Sequence, residues 1–217
     1  RSSDLGAGDD MAQIFGFDEI EKIRSMPYNS FFGEMGITDK QKKERIEFSK
    51  KIEDDMRFLI LLILIMKETG RVDAKKAAEQ FETKLLKWIA RYIDLDSETK
   101  AYISDFCLST AQVTADHVNE KYYVSEDRIR LVSENTALDF LNHKDFKEAT
   151  ENKTYKTWNT IIDGKERETH HKENQTTIPI NNYFLVGKAL MRYPHDMAVT
   201  FTNPEEVINC RCWVTYS

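Results

Sequence analysis

Residues 38–70 read TDKQKKERIEFSKKIEDDMRFLILLILIMKETG, and this stretch decides the architecture. Thr38 and Gln41 have the spacing of a capping box: the Thr hydroxyl accepts an orphan backbone N–H, and the Gln side chain reaches back to the cap. A long helix follows to about Thr69, where Gly70 supplies the left-handed residue that ends it. The first half is heavily charged. The second half, Phe58 to Met66, is apolar nearly all round, which predicts that other helices enclose it. That run is nine residues, bracketed by Arg57 and Lys67. A bilayer span needs about 20, so the run reads as a buried helix segment and no membrane association is expected.

Working outward, helix caps recur. Asp73 opens a second helix from Ala74 to about Asp94, with Ala78, Phe81, Leu85, Trp88 and Tyr92 on one stripe. Asp96 and Ser97 open a third, to about Glu120, with Tyr102, Phe106, Ala111 and Val113 inward. Lys121 to Val124 is a break. Ser125 followed by Glu126 and Asp127 opens a fourth, because acids favour the positive end of a helix. It runs to about Ala149, with Ile129, Val132, Thr136, Phe140 and Phe146 inward. His117 and His143 fall within these helices and read as surface or boundary residues.

Ahead of this region, residues 1–38 read as an irregular segment with short helices, one through Phe15 and one from Phe17 to about Met26. A loop then carries Tyr28, Phe31 and Phe32, which either cover the helical core or anchor a partner. After Thr150 the character changes. Thr154–Thr160, Thr177–Ile180, Tyr183–Val186, Met197–Phe201 and Arg211–Tyr216 are short and rich in β-branched and aromatic residues, so they read as strands. No βαβ alternation appears, so the sheet is antiparallel or irregular. The expected fold is α+β: a helical bundle over 39–150, then a small β-rich module over 151–217.

Composition fits this reading. Hydrophobic residues make up 41% and charged residues 31% of 217, with only eight Gly and four Pro, which favours long regular elements. The formal net charge of −6 gives no support to general duplex-DNA binding, which calls for a basic face. The three cysteines, Cys107, Cys210 and Cys212, are not a disulfide framework. Cys107 sits among Ile103, Phe106 and Leu108 and packs as a small core residue. Cys210 and Cys212 read as free thiols or metal ligands, since a bridge between them is strained. No basic-then-apolar leader opens the chain, so no signal peptide is expected.

The tail carries a spaced set of polar residues and turns. Ser133-Glu134-Asn135-Thr136 and Asn142 lie on the fourth helix. Lys156-Thr157-Trp158, Asp163, Arg167 and His170 follow, then Pro179, Phe184 and Gly187, then Pro194-His195-Asp196, Glu206 and Asn209-Cys210-Arg211-Cys212. Over roughly residues 128 to 217 this order resembles the C-terminal domain of the Mu F-like family of phage head-morphogenesis proteins. That pattern is a helix with a Thr-Glu pair, a Lys-x-Trp strand, an Asp-x-x-x-Arg-x-x-His segment, a Pro-Gly-Asp turn and an Asn-Cys-Arg-Cys end. The sequence departs from it at Val132-Ser133-Glu134, where Arg-Thr-Glu is common. It also departs at Glu173-Asn174 and His195, which replace glycines and bear on local turn shape. The resemblance implies a minor head protein that acts in procapsid assembly. Its partners would be portal and capsid or scaffold proteins, and in some cases packaged DNA. Its place would be the phage head interior, and the host cytoplasm during assembly.

Three chemical readings follow for Asp163, Arg167, His170, Asp196, Glu206, Cys210 and Cys212. The first is a structural polar network. Arg167 forks onto Asp163, Asp196 or Glu206, and His170 holds a backbone carbonyl. The second is structural zinc. One branch of the family carries two Cys where Arg167 and His170 stand, and a His before the terminal Cys-Arg-Cys. Here Arg167 cannot ligate and Val207 replaces the His, so the remaining ligands are His170, Cys210 and either Cys212 or His195. No cofactor is expected on this count. The third is catalysis, a phage-borne nuclease-like enzyme or toxin-associated module with Asp163, Arg167 and His170 as acid–base groups. Of the adjacent pair His170-His171, at most one serves a site, because neighbours on a strand or turn point to opposite faces; the resemblance implies His170, which holds the family position.

Overall fold

The computed structural model describes residues 32–217. The helices expected before Met26, and Tyr28 and Phe31, lie outside the described residues. Helix α1 spans Asp39–Glu68. The Thr38 hydroxyl accepts from Gln41 N at 3.2 Å, and Thr38 N donates to Gln41 Oε1 at 3.0 Å, so both halves of the capping box form. Gly70, at φ 72°, turns the chain so that Arg71 N donates to the Met66 carbonyl at 3.0 Å. Helix α2 spans Ala74–Ile89, with Asp73 accepting from Lys76 N. It stops before the expected Asp94. Residues 91–93 instead fold back onto Trp88 and Ile89 carbonyls, which sets the Trp88 and Tyr92 rings on Phe48, at 5.0 and 5.6 Å. Aromatic packing outweighs one more helical turn there.

Helix α3 spans Ser97–Asp116, with Asp96 as cap, and a 3₁₀ turn follows at Lys121–Val124. α3 also stops short of the expected Glu120: His117 caps it and stacks on Tyr123, with centroids 4.2 Å apart. Helix α4, Glu126–Thr150, starts from Ser125 as expected. Two inward assignments change. Val113 is 41% exposed. The apolar end of α1 is only partly enclosed: Leu61, Leu62 and Leu64 are half-buried and Ile65 is exposed. Among the described residues, no helix is long and apolar enough to cross a membrane.

The bundle core gathers Phe48, Ile52, Met56, Phe81, Leu85, Phe106, Cys107, Ile129 and Phe140 into one apolar cluster. Arg57 clamps α1 to α4 through Nε and Nη2 bonds of 2.8 and 2.6 Å to the two Glu126 oxygens. Such a fork suits a planar guanidinium. The middle of α4, Thr136 to His143, is buried on every side. His143 is therefore not a surface residue: it is 2% exposed, and its Nδ1 lies 2.7 Å from the Tyr193 hydroxyl. A helix with polar residues all round is buried here because the bundle covers one side and the C-terminal module covers the other.

The module is built on strand β1, Tyr155–Asn159, flanked by β2, Thr177–Pro179, and β5, Trp213–Tyr216, both antiparallel to it. A separate hairpin pairs β3, Phe184–Val186, with β4, Ala189–Met191, across Gly187 at φ 60°. Two short helices, α5 at Glu168–Glu173 and α6 at Pro204–Val207, complete it. The strand expected at Met197–Phe201 is a series of turns. Asp196 accounts for the difference: its Oδ1 accepts from Ala198 N at 3.0 Å and its carbonyl from Val199 N at 3.0 Å. Such local bonds offer the backbone an alternative to a ladder.

The module and the bundle share apolar clusters. Phe146 and Ala149 of α4 pack with Ile180 and Tyr193, and Met197 joins the bundle core. Phe32 is buried with Met35 and Leu138, and Trp213 packs on them. Of the two readings of that aromatic segment, the core-covering one holds for Phe32.

Candidate functional site

Trp158 fixes the floor of the site. Its β1 position puts it in the module core, where Nε1 donates to Thr160 Oγ1 at 3.1 Å. Thr160 Oγ1 in turn donates to the His170 carbonyl at 3.0 Å, tying the start of α5 beneath the strand. His170 is buried and His171 is exposed beside Glu166. The pair lies on α5 and not on a strand, so the two side chains sit about 100° apart and only His170 faces inward. The His170 ring packs edge-on against Trp158, with centroids 5.8 Å apart.

Both ring nitrogens are engaged. Nδ1 lies 3.3 Å from Cys212 Sγ and 3.4 Å from Cys210 Sγ, and Nε2 lies 3.1 Å from Glu206 Oε2. Glu206 also accepts from Thr169 Oγ1 at 2.8 Å. Gly187 makes room for that carboxylate, since a Cβ there would sit 2.1 Å from Glu206 Oε1. Both thiols reach His170 Nδ1, while the Arg211 guanidinium between them turns to Asp163 and Glu34. Asn209, at φ 60°, starts that run and is held by Asn135 Oδ1 at 2.7 Å. The cysteines divide their charge unequally. A hydrogen bond from Cys210, and then His170, holds the Cys212 thiol down at about 5 against its burial. Burial pushes Cys210 well up.

The expected polar network forms from different pairs. Arg167 does not fork onto a carboxylate; its guanidinium donates to the Ile208 carbonyl. Asp163 is gripped by Arg211 through two bonds of 2.8 Å, which hold its carboxyl well below the usual range. Arg211 also reaches Glu34 at 3.1 Å. Asp196 lies apart, fully buried, and accepts Arg192 N at 2.8 Å and Nε at 2.9 Å. Arg192 continues to Glu98 on α3. His170 holds no backbone carbonyl with its ring, because Glu206 and the thiols occupy both nitrogens. Thus Glu206, His170, Cys210 and Cys212 meet, while Asp163 and Asp196 belong to two other clusters.

His195 is not available as a metal ligand. Its Nδ1 lies 2.9 Å from Asp139 Oδ1 and its Nε2 lies 2.8 Å from the Cys210 carbonyl. Asp139, which also accepts from the Tyr102 hydroxyl, thereby links α3 and α4 to the Cys210 backbone. Asp139, Tyr102, Arg192 and Arg211 are residues that sequence reasoning missed. The alternation Cys-Arg-Cys was the one available signal for Arg211. Asp139 had none, since an acid in a polar helix reads as solvated.

The donor set can hold a metal ion. A tetrahedral zinc with Zn–S of about 2.3 Å and Zn–N of about 2.0–2.1 Å keeps N and S roughly 3.5 Å apart. The His170–thiol separations already approach that spacing. The adjoining cavity measures about 20 Å³ and is lined by Thr160, Lys165, Arg167, His170, Cys210 and Cys212 among others. That holds one water, whereas small-molecule sites run to about 300–1,000 Å³. A larger apolar cleft of about 450 Å³ lies elsewhere, between α3, α4 and the turns at Thr200–Ile208. Comparison with family models, with curated proteins and with solved structures finds no match to this chain.

Proposed function

We propose that this chain is a phage minor head protein acting in procapsid assembly, with portal and capsid or scaffold proteins as partners and without catalysis of its own. The observation that carries this reading is the convergence of the spaced tail residues. Asn135 meets Asn209, Asn142 donates to the Pro194 carbonyl at 2.7 Å, Trp158 packs on Phe184, and His170 meets Glu206 and both thiols. Positions scattered over some eighty residues thus define one folded unit, as expected of a family signature that specifies a fold. His195 adds support. It holds φ 59°, in the left-handed region that favours glycine, at the position where the resembled pattern carries Gly.

The assembly role is further supported by surface. The cleft lined by Phe106, Val113, Phe201 and Ile208 is mostly apolar, and an exposed apolar patch is what a protein contact uses. The net charge of −6 favours protein partners over packaged DNA. The decisive measurement is mass spectrometry of purified heads before and after DNA release. The chain is expected in full heads at low copy, and its absence from virions and procapsids alike would remove the reading.

A second reading, a phage-borne nuclease-like enzyme, has one observation in its favour. His170 stands between Cys212 and Glu206 in a thiol–imidazole–carboxylate order, the arrangement of an activated nucleophile. Against it stands burial: Cys212 is 3% and His170 2% exposed, beside a cavity with room for one water. A phosphodiesterase assay of the purified chain and its His170→Ala variant separates the readings. Turnover that disappears with His170 would favour the enzyme.

A further inference from the structure

We propose that His170, Cys210 and Cys212 form a zinc site with three protein ligands and a fourth, exchangeable position, and that Glu206 is the positioning residue that presents His170 Nδ1 to the ion. The inference rests on donor geometry and is independent of any assembly role.

The donors are soft sulfur and imidazole nitrogen, a set that selects zinc over magnesium or calcium. Their ligand atoms all lie within 4.8 Å of one another. A tetrahedral zinc requires roughly 3.5 Å between N and S and roughly 3.8 Å between sulfurs. Binding therefore asks for small side-chain shifts and no backbone rearrangement. The backbone is already fixed: His195 Nε2 lies 2.8 Å from the Cys210 carbonyl, Asn135 holds Asn209 N at 2.7 Å, and Thr160 holds the His170 carbonyl at 3.0 Å.

Glu206 decides which nitrogen ligates. With its Oε2 3.1 Å from Nε2, the carboxylate holds the proton on Nε2 when a metal binds, so that Nδ1 gives up its hydrogen bond to Cys212 and turns its lone pair to the ion between the sulfurs. This is the carboxylate–histidine–metal relay, in which the outer carboxylate sets tautomer and ring orientation. Thr169 and the absence of a side chain at Gly187 keep Glu206 in place.

Among the described residues no fourth His, Cys or carboxylate joins the group. The small cavity is bordered by all three ligand residues, by Lys165, Arg167 and Arg211, and by the acid Glu166. Closed structural sites have four protein ligands, whereas three ligands leave a position for water. Although Arg211 is paired with Asp163 and Glu34, three cations against one lining acid make that position open to a small anion in exchange for the water.

The test uses the full chain, reduced and stripped of metal, titrated with cobalt(II) and then displaced by zinc. One ion per chain is expected, with a thiolate-to-cobalt charge-transfer band and d–d bands that shift when azide is added. Glu206→Gln should keep the stoichiometry and lower zinc affinity about 10–100-fold, while Cys212→Ser should weaken the charge-transfer band. Failure of the reduced wild-type chain to take up either ion overturns the site. A cobalt spectrum indifferent to azide overturns the open position, and unchanged zinc affinity in Glu206→Gln overturns the positioning role. Should that variant not fold, the histidine's ligating nitrogen read by NMR of the zinc-loaded wild type decides the same point: Nε2 ligation refutes it.

Discussion

Phe48 in the bundle and Trp158 in the C-terminal module are both fully buried, yet what surrounds them differs. Phe48 meets Trp88, Tyr92 and Phe140 at 5.0, 5.6 and 5.5 Å, within an apolar cluster running through α1 to α4. Trp158 meets Phe184 and the His170 ring, in a cluster that ends after a few residues at Cys210 and Cys212. Around it the contacts are Arg192 on Asp196, His195 on Asp139 and Arg211 on Asp163. The bundle rests on burial, which is non-directional and proportional to area. The module rests on directional bonds, so removing one partner strands the other. One region should therefore answer to lost volume, and the other to lost partners and to pH.

The largest effect should come from Phe48→Ala, which removes a ring from the bundle core. We expect a loss of about 3–5 kcal/mol, measured by urea unfolding. Amide exchange should rise in bundle and module together, because α4 belongs to both. Loosening of the bundle alone would mean the two regions fold separately.

Asp139→Ala comes next, at about 2–4 kcal/mol, because it leaves His195 and Tyr102 buried without their shared acceptor. Exchange should quicken first in the module, around Cys210, while α1 and α2 stay protected. Equal loosening everywhere would erase the distinction drawn between the regions.

The pH responses should run in opposite directions. Burial raises Glu134, in the bundle, from 4.5 to about 7, with Arg130 partly opposing. Between those values the folded state holds the extra proton, so stability falls as pH rises from about 4.5 to about 7. Burial lowers Lys156, in the module, from 10.5 to about 8, with Asp196 opposing and Arg192 adding to the shift. There the unfolded state holds the extra proton, so the Lys156 penalty is complete below about 8 and fades as pH rises to about 10.5. Lys156 Nζ is buried with no hydrogen-bond partner among the described residues, between the Phe146 and Phe184 rings. Lys156→Met should stabilise the chain by about 1–3 kcal/mol at neutral pH and remove the alkaline slope. Glu134→Gln should flatten the acidic slope. Chemical unfolding across the pH range checks both, and slopes that persist in the variants would assign them to other groups.

The smallest effect is expected for Gly187→Ala, about 1 kcal/mol for a side chain at φ 60°. Its interest is local. The new Cβ displaces the Glu206 carboxylate, so the His170 imidazole shifts in NMR spectra should move more than the melting temperature does.

Much of the bundle was legible because its signals are local. Thr38, Asp73, Asp96 and Ser125 each cap the helix they were expected to cap. The errors share a cause. α2 ends early for aromatic contacts on another helix, His143 is buried by a module that begins after α4, and Asp196 bends the expected fourth strand into turns. Of the site, the sequence placed His170, Cys210, Cys212 and Glu206 in one group. It put Asp163 and Asp196 there too, although Arg211 and Arg192 take them elsewhere.

The sequence by itself determined where helices start, which faces are apolar and that the chain changes character after Thr150. Capping and periodicity act over three or four neighbouring residues. Only the tertiary structure decided which cation meets which carboxylate, and that the middle of α4 is enclosed on both sides. A carboxylate accepts from any donor within about 3 Å, and packing between distant segments determines which donor comes that close.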